Sequence, residues 1–200
     1  ACGFLSKANC AGGTRGDDGS ISLNWAGNRQ YTSFCYNDII PLYGARGLDQ
    51  PGFVYDYSWV DDGLTRYMEY PVLAGLFQQL SAWLSRGTYF LVDTVLPAPG
   101  WYFYVTALLL SIIWVITVRM VAELAGNRIW DTLLVAGSPL LIVHAFTNWD
   151  IPSIFFAVAA MLAARNRKFW LAGVLIGLGT AFKLWPIFLL GAYLTVALRK

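Results

Sequence analysis

The segment GWYFYVTALLLSIIWVITV, residues 100–118, contains no charged side chain. A helix needs about 20 mainly apolar residues to cross the hydrocarbon core of a bilayer, so this segment predicts a transmembrane helix. Pro97 and Pro99 precede it and Arg119 follows it, which marks both of its ends. Over the whole chain 57% of the residues are hydrophobic and 13% are charged. This composition is typical of an integral membrane protein and excludes an ordinary soluble domain.

Further apolar segments follow towards the carboxyl end. Residues 132–149 have His144 as their one titratable group, and three shorter apolar segments come next, two of them bounded by basic residues. The small residues Gly173, Gly177 and Gly179 predict close helix packing. The sequence therefore predicts an all-α multispanning membrane protein. Its transmembrane helices are predicted over residues 100–119, 130–148, 150–164, 169–183 and 186–198.

The charges indicate how these helices are oriented. Residues 1–99 carry six Lys/Arg and nine Asp/Glu, whereas residues 100–200 carry eight and three. With residues 1–99 on the external side of a plasma membrane, seven of the eight later basic residues fall on the cytoplasmic side, and Lys183 is the exception. This orientation requires a helical hairpin that turns at Lys183. The alternative is one kinked helix over residues 169–198, which would place Arg199 and Lys200 outside.

Residues 1–99 predict an external loop domain. Its apolar stretch, residues 72–84, is too short and too polar to span a bilayer, so we predict an amphipathic helix near residues 71–85 on the membrane surface. A helix in the core of the loop domain is the alternative. Cys2, Cys10 and Cys35 all lie in this half, which suits an oxidising compartment and one disulfide. The pairing stays open, and unpaired thiols are the alternative. Since the chain begins at Ala1, we expect an upstream membrane helix.

Two ionisable side chains are the strongest candidates for chemistry. Asp38 lies in YNDIIPLY, residues 36–43, where a partly desolvated carboxylate would be a useful general base. The alternative is an aspartate that caps a helix before Pro41. Lys183 interrupts the apolar run GTAFKLWPIFLL, residues 179–190, and an ammonium just below the outer surface suits a lipid phosphate. The alternative is a lysine that extends to the headgroups.

Three further residues are weaker candidates. Glu69 is predicted where the external loop meets the membrane, and it could orient a substrate or pair with Arg66. Asp150 could cap the helix that follows it, and its predicted position opposite Lys183 keeps it a candidate. His144 is predicted about one turn below the interface, where a lone histidine more often packs or forms hydrogen bonds.

Other chemical motifs are missing from the sequence. The acidic pair Asp61 and Asp62 could bind a metal or a substrate, but adjacent loop carboxylates are more often solvated. The sequence has no zinc-ligand spacing, no phosphate-binding glycine loop and no nucleophile elbow. We therefore expect no cofactor and no nucleic-acid partner, and a divalent metal requirement stays open.

Four short motifs follow one another along the chain. They are NDIIPLY at residues 37–43, EYPVL at 69–73, NWD at 148–150 and LAGVLIGLGTAFKLWP at 171–186. In this order they resemble the polyprenol-phosphate-sugar-dependent glycosyltransferases of family 87, typified by the actinobacterial α-1,2-mannosyltransferases of the cell envelope. The resemblance covers about residues 35–200 and implies a GT-C fold, a helical bundle with a large first external loop. It also implies that the chain is an N-terminal portion of a longer protein.

The resemblance implies a reaction as well. A sugar, with mannose favoured, would pass from a polyprenyl-phosphate donor to a glycolipid or glycan acceptor at the external face. Asp38 matches the catalytic base and Lys183 the lysine near the donor phosphate, with Glu69, Asp150 and His144 orienting the substrates. A metal is not required by this chemistry. Residues 1–34 depart from the short loop of the family and offer a surface for protein partners. The alternatives are a non-catalytic scaffold or assembly subunit and, less favoured, a transporter.

Overall fold

A computed structural model of the chain describes Lys7, residues 13–15, Asp17, residues 21–23, residues 28–33 and residues 35–198. It divides into two compact units. The first unit contains residues 1–69, 75–109 and 139–149, and the second contains residues 70–74, 110–138 and 150–200. Most of residues 1–34, including Cys2 and Cys10, lie outside the described residues. Cys35 is buried and disulfide-bonded, but its pairing stays open.

Helices make up most of the described chain. Their bounds are α1 Arg29–Thr32, α2 Ile39–Ala45, α3 Val72–Thr88, α4 Ala98–Ala125, α5 Thr132–Ala136, α6 Pro139–His144, α7 Ile151–Arg165, α8 Phe169–Phe182 and α9 Phe188–Leu198. Short 3₁₀ turns occupy Tyr89–Leu91, Gly126–Asp131 and Trp185–Ile187. This helical content is compatible with the predicted class of helical membrane protein.

The prediction of an all-α chain is wrong for the first unit, which contains two antiparallel hairpins. Strand β1 (Gly13–Arg15) pairs with β2 (Ile21–Leu23), and β3 (Ser58–Asp61) pairs with β4 (Leu64–Tyr67). Asp62 and Gly63 connect β3 to β4 with φ angles of 51° and 77°. A two-residue type I′ turn needs positive φ at both central positions and favours Asp-Gly. Asp62 therefore serves the turn.

Helix α3 exposes its apolar side and buries its polar side. The exposed apolar residues recur every three or four positions: Val72, Leu76, Leu80, Trp83 and Leu84. The buried polar residues are Gln78, Gln79, Ser81 and Ser85. A helix in the core of a loop domain would be oriented the other way round, so this pattern argues against that alternative. Its placement on a membrane surface stays a prediction.

Helix α4 covers the uncharged segment and continues beyond Arg119 to Ala125. Among the described residues, one helical stretch, Ala98–Ala136, is long and apolar enough to cross a membrane. The apolar helices Ile151–Arg165, Phe169–Phe182 and Trp185–Leu198 are shorter. The number of membrane spans stays a prediction.

The structure differs from the continuous helix predicted over residues 130–148. Helix α5 ends at Ala136, and α6 begins at Pro139. Proline has no backbone N–H and disfavours helical backbone in the residue before it, here Ser138. Gly137, which ends α5 with a backbone bond from its N–H to the Leu133 carbonyl (2.8 Å), adds a second helix-weakening residue.

In the second unit α7 and α8 pack against each other along their length. Gly179 allows this approach, because a Cβ atom there would lie 3.1 Å from Phe156 Cβ and 3.2 Å from Pro186 Cβ. At Gly173 and Gly177 an added Cβ would meet no described atom within 4 Å. The predicted close-packing role therefore belongs to Gly179.

Helices α8 and α9 are separated at Lys183. This residue has extended backbone, with φ −156° and ψ 141°, and Pro186 lies in the 3₁₀ turn that follows. Helix α8 has far fewer contacts with α9 than with α7. Whether the two helices form a hairpin or a kinked span in a membrane stays a prediction.

Candidate functional site

The carboxylate of Asp38 is not used to cap α2. Asp38 occupies the N-cap position, but its side chain makes no capping hydrogen bond. The buried neighbour Asn37 takes that role, since its Oδ1 accepts from the Ile40 N–H at 2.9 Å. Asn37 Nδ2 also donates to the Cys35 carbonyl at 2.9 Å. The alternative that Asp38 is a capping residue is therefore wrong, and its carboxylate is available for another role.

Contacts with Tyr36 and Thr147 hold Asp38 in place. The Tyr36 hydroxyl donates to Asp38 Oδ1 at 3.0 Å, and the Asp38 N–H donates to the Thr147 carbonyl at 2.7 Å. The hydrogen bond to Asp38, together with its negative charge, raises the pKa of Tyr36, so the phenol remains a donor. Asp38 is half-buried, and its role as a general base stays a prediction.

Lys7 contacts the residues around Asp38, and no sequence pattern predicted this contact. Its side chain is buried, and its Nζ donates to the Tyr36 carbonyl at 2.5 Å and to Thr147 Oγ1 at 3.0 Å. Burial lowers the pKa of Lys7, and the negative charge of Asp38 opposes this effect. Lys7 and Thr147 are 140 positions apart, so no local pattern could have predicted their contact.

His144 ends helix α6, close in sequence to this cluster. Its carbonyl accepts from the Thr147 N–H at 3.0 Å. Its side chain is exposed, and the imidazole has no hydrogen bond within the part of the chain that the structure describes. Its predicted role in orienting a substrate stays a prediction.

Glu69 is paired with Arg46 and not with Arg66 as the alternative had it. Both Glu69 oxygens accept from the Arg46 guanidinium, at distances between 2.6 and 2.9 Å. Arg66 pairs instead with Asp61 at 2.8 Å. The Arg46 guanidinium also lies 4.1 Å from the centre of the Trp59 ring. Glu69 is therefore a fixed carboxylate at the edge of the β3–β4 hairpin.

Asp150 and Lys183 form an ion pair in the second unit. Lys183 Nζ donates to Asp150 Oδ1, and the two side chains are 49% and 40% exposed. Asp150 stands at the N-cap of α7 without a side-chain capping bond, and Lys183 stands at the end of α8. A half-exposed ion pair contributes only about 0–1 kcal/mol to stability, and the role of Lys183 in binding a phosphate stays a prediction.

The candidate residues divide between the two units. Asp38, Glu69 and His144 belong to the first, and Asp150 and Lys183 belong to the second. Direct contact joins Asp150 to Lys183. Over the described ranges, no three His, Cys, Asp or Glu side chains are grouped as metal ligands.

Comparison with known proteins gives one match. A model of glycosyltransferase family 87 matches residues 67–200, a range that includes Glu69, His144, Asp150 and Lys183 but not Asp38. No curated protein and no solved structure matches the chain.

Proposed function

The chain belongs to glycosyltransferase family 87, as its motifs predicted, and we propose that it transfers a sugar, mannose in the first instance, from a polyprenyl-phosphate donor to a glycan or glycolipid of the cell envelope. In this proposal the protein is a multi-pass GT-C enzyme of an actinobacterial type, with residues 1–99 on the external side of the plasma membrane. The helix within Ala98–Ala136 supports its membrane location.

The exposed ion pair between Lys183 and Asp150 carries this proposal. Lys183 lies at the end of the apolar helix α8, within the range matched by the family model. An ammonium is a compact charge with three donors, which suits a phosphate group. A phosphate attached to a polyprenyl chain stays near the membrane, so a lysine at the end of an apolar helix is well placed to bind it.

The proposed reaction inverts the configuration of the anomeric carbon. Asp38 accepts the proton of an acceptor hydroxyl, whose oxygen forms the new bond to the anomeric carbon of the donor. The bond from that carbon to the phosphate oxygen breaks, and polyprenyl phosphate departs with the bonding electrons. Lys183 stabilises the negative charge that develops on the departing phosphate. Glu69, Asp150 and His144 orient the substrates.

Sugar transfer in membranes tests both assignments. The full chain is supplied with a radiolabelled polyprenyl-phosphate-mannose and an envelope acceptor fraction. Loss of a general base is expected to lower kcat by about 10²–10⁴-fold in Asp38→Asn. Lys183→Ala is expected to raise the KM for the donor and also to lower kcat, because the phosphate gains charge in the transition state.

Two matched variants serve as controls. Asp56→Asn removes an exposed carboxylate from the same loop domain, and Lys168→Ala removes the lysine at the other end of α8. Both are expected to retain transfer. If Asp38→Asn and Lys183→Ala transfer sugar as well as these controls do, the two roles are refuted. If the unmodified chain transfers no sugar from a lipid-linked donor, the scaffold alternative replaces the proposal.

A further inference from the structure

Lys7 connects three separate parts of the first unit. Its Nζ donates to the Tyr36 carbonyl at 2.5 Å and to Thr147 Oγ1 at 3.0 Å, and these contacts bridge 29 and 140 positions of the chain. All three residues belong to the first unit. Lys7 is only 3% exposed. A buried ammonium is costly unless hydrogen bonds replace the lost water, so Lys7 is not an ordinary surface lysine.

Both partners of Lys7 also contact Asp38. The Tyr36 hydroxyl donates to Asp38 Oδ1 at 3.0 Å, and the Asp38 N–H donates to the Thr147 carbonyl at 2.7 Å. One partner therefore holds the carboxylate of Asp38 and the other holds its backbone. The negative charge of Asp38 acts on Lys7 as well, since it opposes the lowering of the Lys7 pKa by burial. The contacts of Lys7 thus converge on the proposed general base.

The position of Asp38 depends on how the segment before α2 is held against Thr147. Within this segment the side chain of Asn37 bonds to the backbone on both sides of it. Lys7 adds the contact that joins the Tyr36 carbonyl to the Thr147 hydroxyl. Without this ammonium the carboxylate would be free to shift relative to its surroundings. A misplacement of about 1 Å can lower the rate of a positioned reaction by about 100-fold.

We propose that Lys7 is a positioning residue for Asp38. It acts through Tyr36 and Thr147, and its buried ammonium does not contact the substrates. The proposal rests on the proposed function of Asp38 as the general base. It gives the part of the chain before residue 35 a role in the reaction, as the source of a group that keeps the base in place.

Two variants weaken this connection from opposite ends. Lys7→Met removes the ammonium but keeps a side chain of similar length, whereas Thr147→Val removes the hydroxyl but keeps the carbonyl that accepts from Asp38. Transfer from polyprenyl-phosphate-mannose is measured per mole of folded full chain purified in detergent. We expect kcat to fall by about 10–100-fold in Lys7→Met. In Thr147→Val, which retains the bond to Tyr36, it should fall by about 2–10-fold. The KM for the donor should not change, because the proposed donor contact is Lys183.

A double-mutant cycle separates positioning from a general loss of structure. An Asp38→Asn background has no base to position, so neither Lys7→Met nor Thr147→Val should lower its residual kcat further. A merely structural contact would lower kcat by the same factor in both backgrounds. Lys168→Met and Thr65→Val are the matched controls, because they remove the same groups from exposed positions. Both controls should leave kcat unchanged in either background.

The outcomes distinguish this proposal from the transferase function. If Asp38→Asn loses transfer but the Lys7 and Thr147 variants do not, the positioning role is overturned and the transferase function stands. Equal losses in both backgrounds have the same meaning. If Asp38→Asn transfers sugar as fast as the unmodified chain, or if the unmodified chain transfers none, the base assignment fails and the positioning role fails with it. If Lys7→Met does not fold, the cycle with Thr147→Val decides alone.

Discussion

Replacement of Gly179 by alanine tests the packing of α7 against α8 and, through it, the position of Lys183. The added Cβ would lie 3.1 Å from Phe156 Cβ and 3.2 Å from two Pro186 ring atoms. Neither neighbour is the flexible end of a side chain, so relief requires a backbone shift. The Gly179 carbonyl also accepts from Ser153 Oγ at 3.3 Å and from the Lys183 N–H at 3.0 Å.

The expected magnitude follows from comparison with Gly177. An added Cβ at Gly177 meets no described atom within 4 Å. Gly177→Ala should therefore change the free energy of unfolding only through the higher helix propensity of alanine, a gain of up to about 1 kcal/mol. Gly179→Ala has the same gain, but overpacking opposes it by about 1–3 kcal/mol. The free energy of unfolding of Gly179→Ala should thus be lower than that of Gly177→Ala by about 1–3 kcal/mol. At about 2–4 °C per kcal/mol, the melting temperatures should differ by several degrees.

Tryptophan fluorescence of the detergent-solubilised variants during heating measures this difference. Because a shift at Gly179 moves the residue that accepts from the Lys183 backbone, Gly179→Ala should also raise the KM for the lipid-linked donor, whereas Gly177→Ala should not. Equal melting temperatures for the two variants would refute the packing of α7 and α8 described above.

Three further changes test the first unit. The pKa of Lys7 is lowered in the folded chain, so the unfolded chain binds more protons at pH values between that pKa and 10.5. Relative to Lys7→Met, the free energy of unfolding of the unmodified protein should therefore rise with pH in this window by at most about 1.4 kcal/mol per pH unit, as measured by melting at several pH values. Gly47 has φ +64° and its added Cβ would overlap the Tyr57 ring, so Gly47→Ala should destabilise by at least about 1–2 kcal/mol, whereas Gly44→Ala, with open space around it, should not. Asn37→Ala removes the capping bond of α2 and should cost about 1–2 kcal/mol, measured by the shift in melting temperature.

Local patterns in the sequence predicted part of the fold. The uncharged residues 100–118 lie within α4, and α3 occupies nearly the same residues as the helix predicted near 71–85. The β3–β4 hairpin was missed, although Asp62-Gly63 between two short alternating segments is a strong hairpin signal. The break at Gly137 was missed too, since composition alone suggested one uninterrupted apolar helix.

The candidate site was less predictable, because long-range contacts create most of it. The ordering of helices by charge placed Asp150 opposite Lys183, and the structure pairs these two side chains. No comparable rule relates Arg46 to Glu69 across 23 positions or Lys7 to Thr147 across 140. At Asp38 the sequence left two roles open, and only the capping bond from Asn37 decides against one of them.

The outward apolar side of α3 limits how the loop domain can be handled. A fragment that ends before Ala98 would remove the membrane helix α4 but would keep the exposed Leu80, Trp83 and Leu84. Such a surface drives self-association in water, so the fragment should precipitate or oligomerise unless a detergent or lipid covers it. Binding measurements on the isolated loop would then report on aggregates. Solubilising substitutions on α3 should precede any attempt to crystallise that fragment.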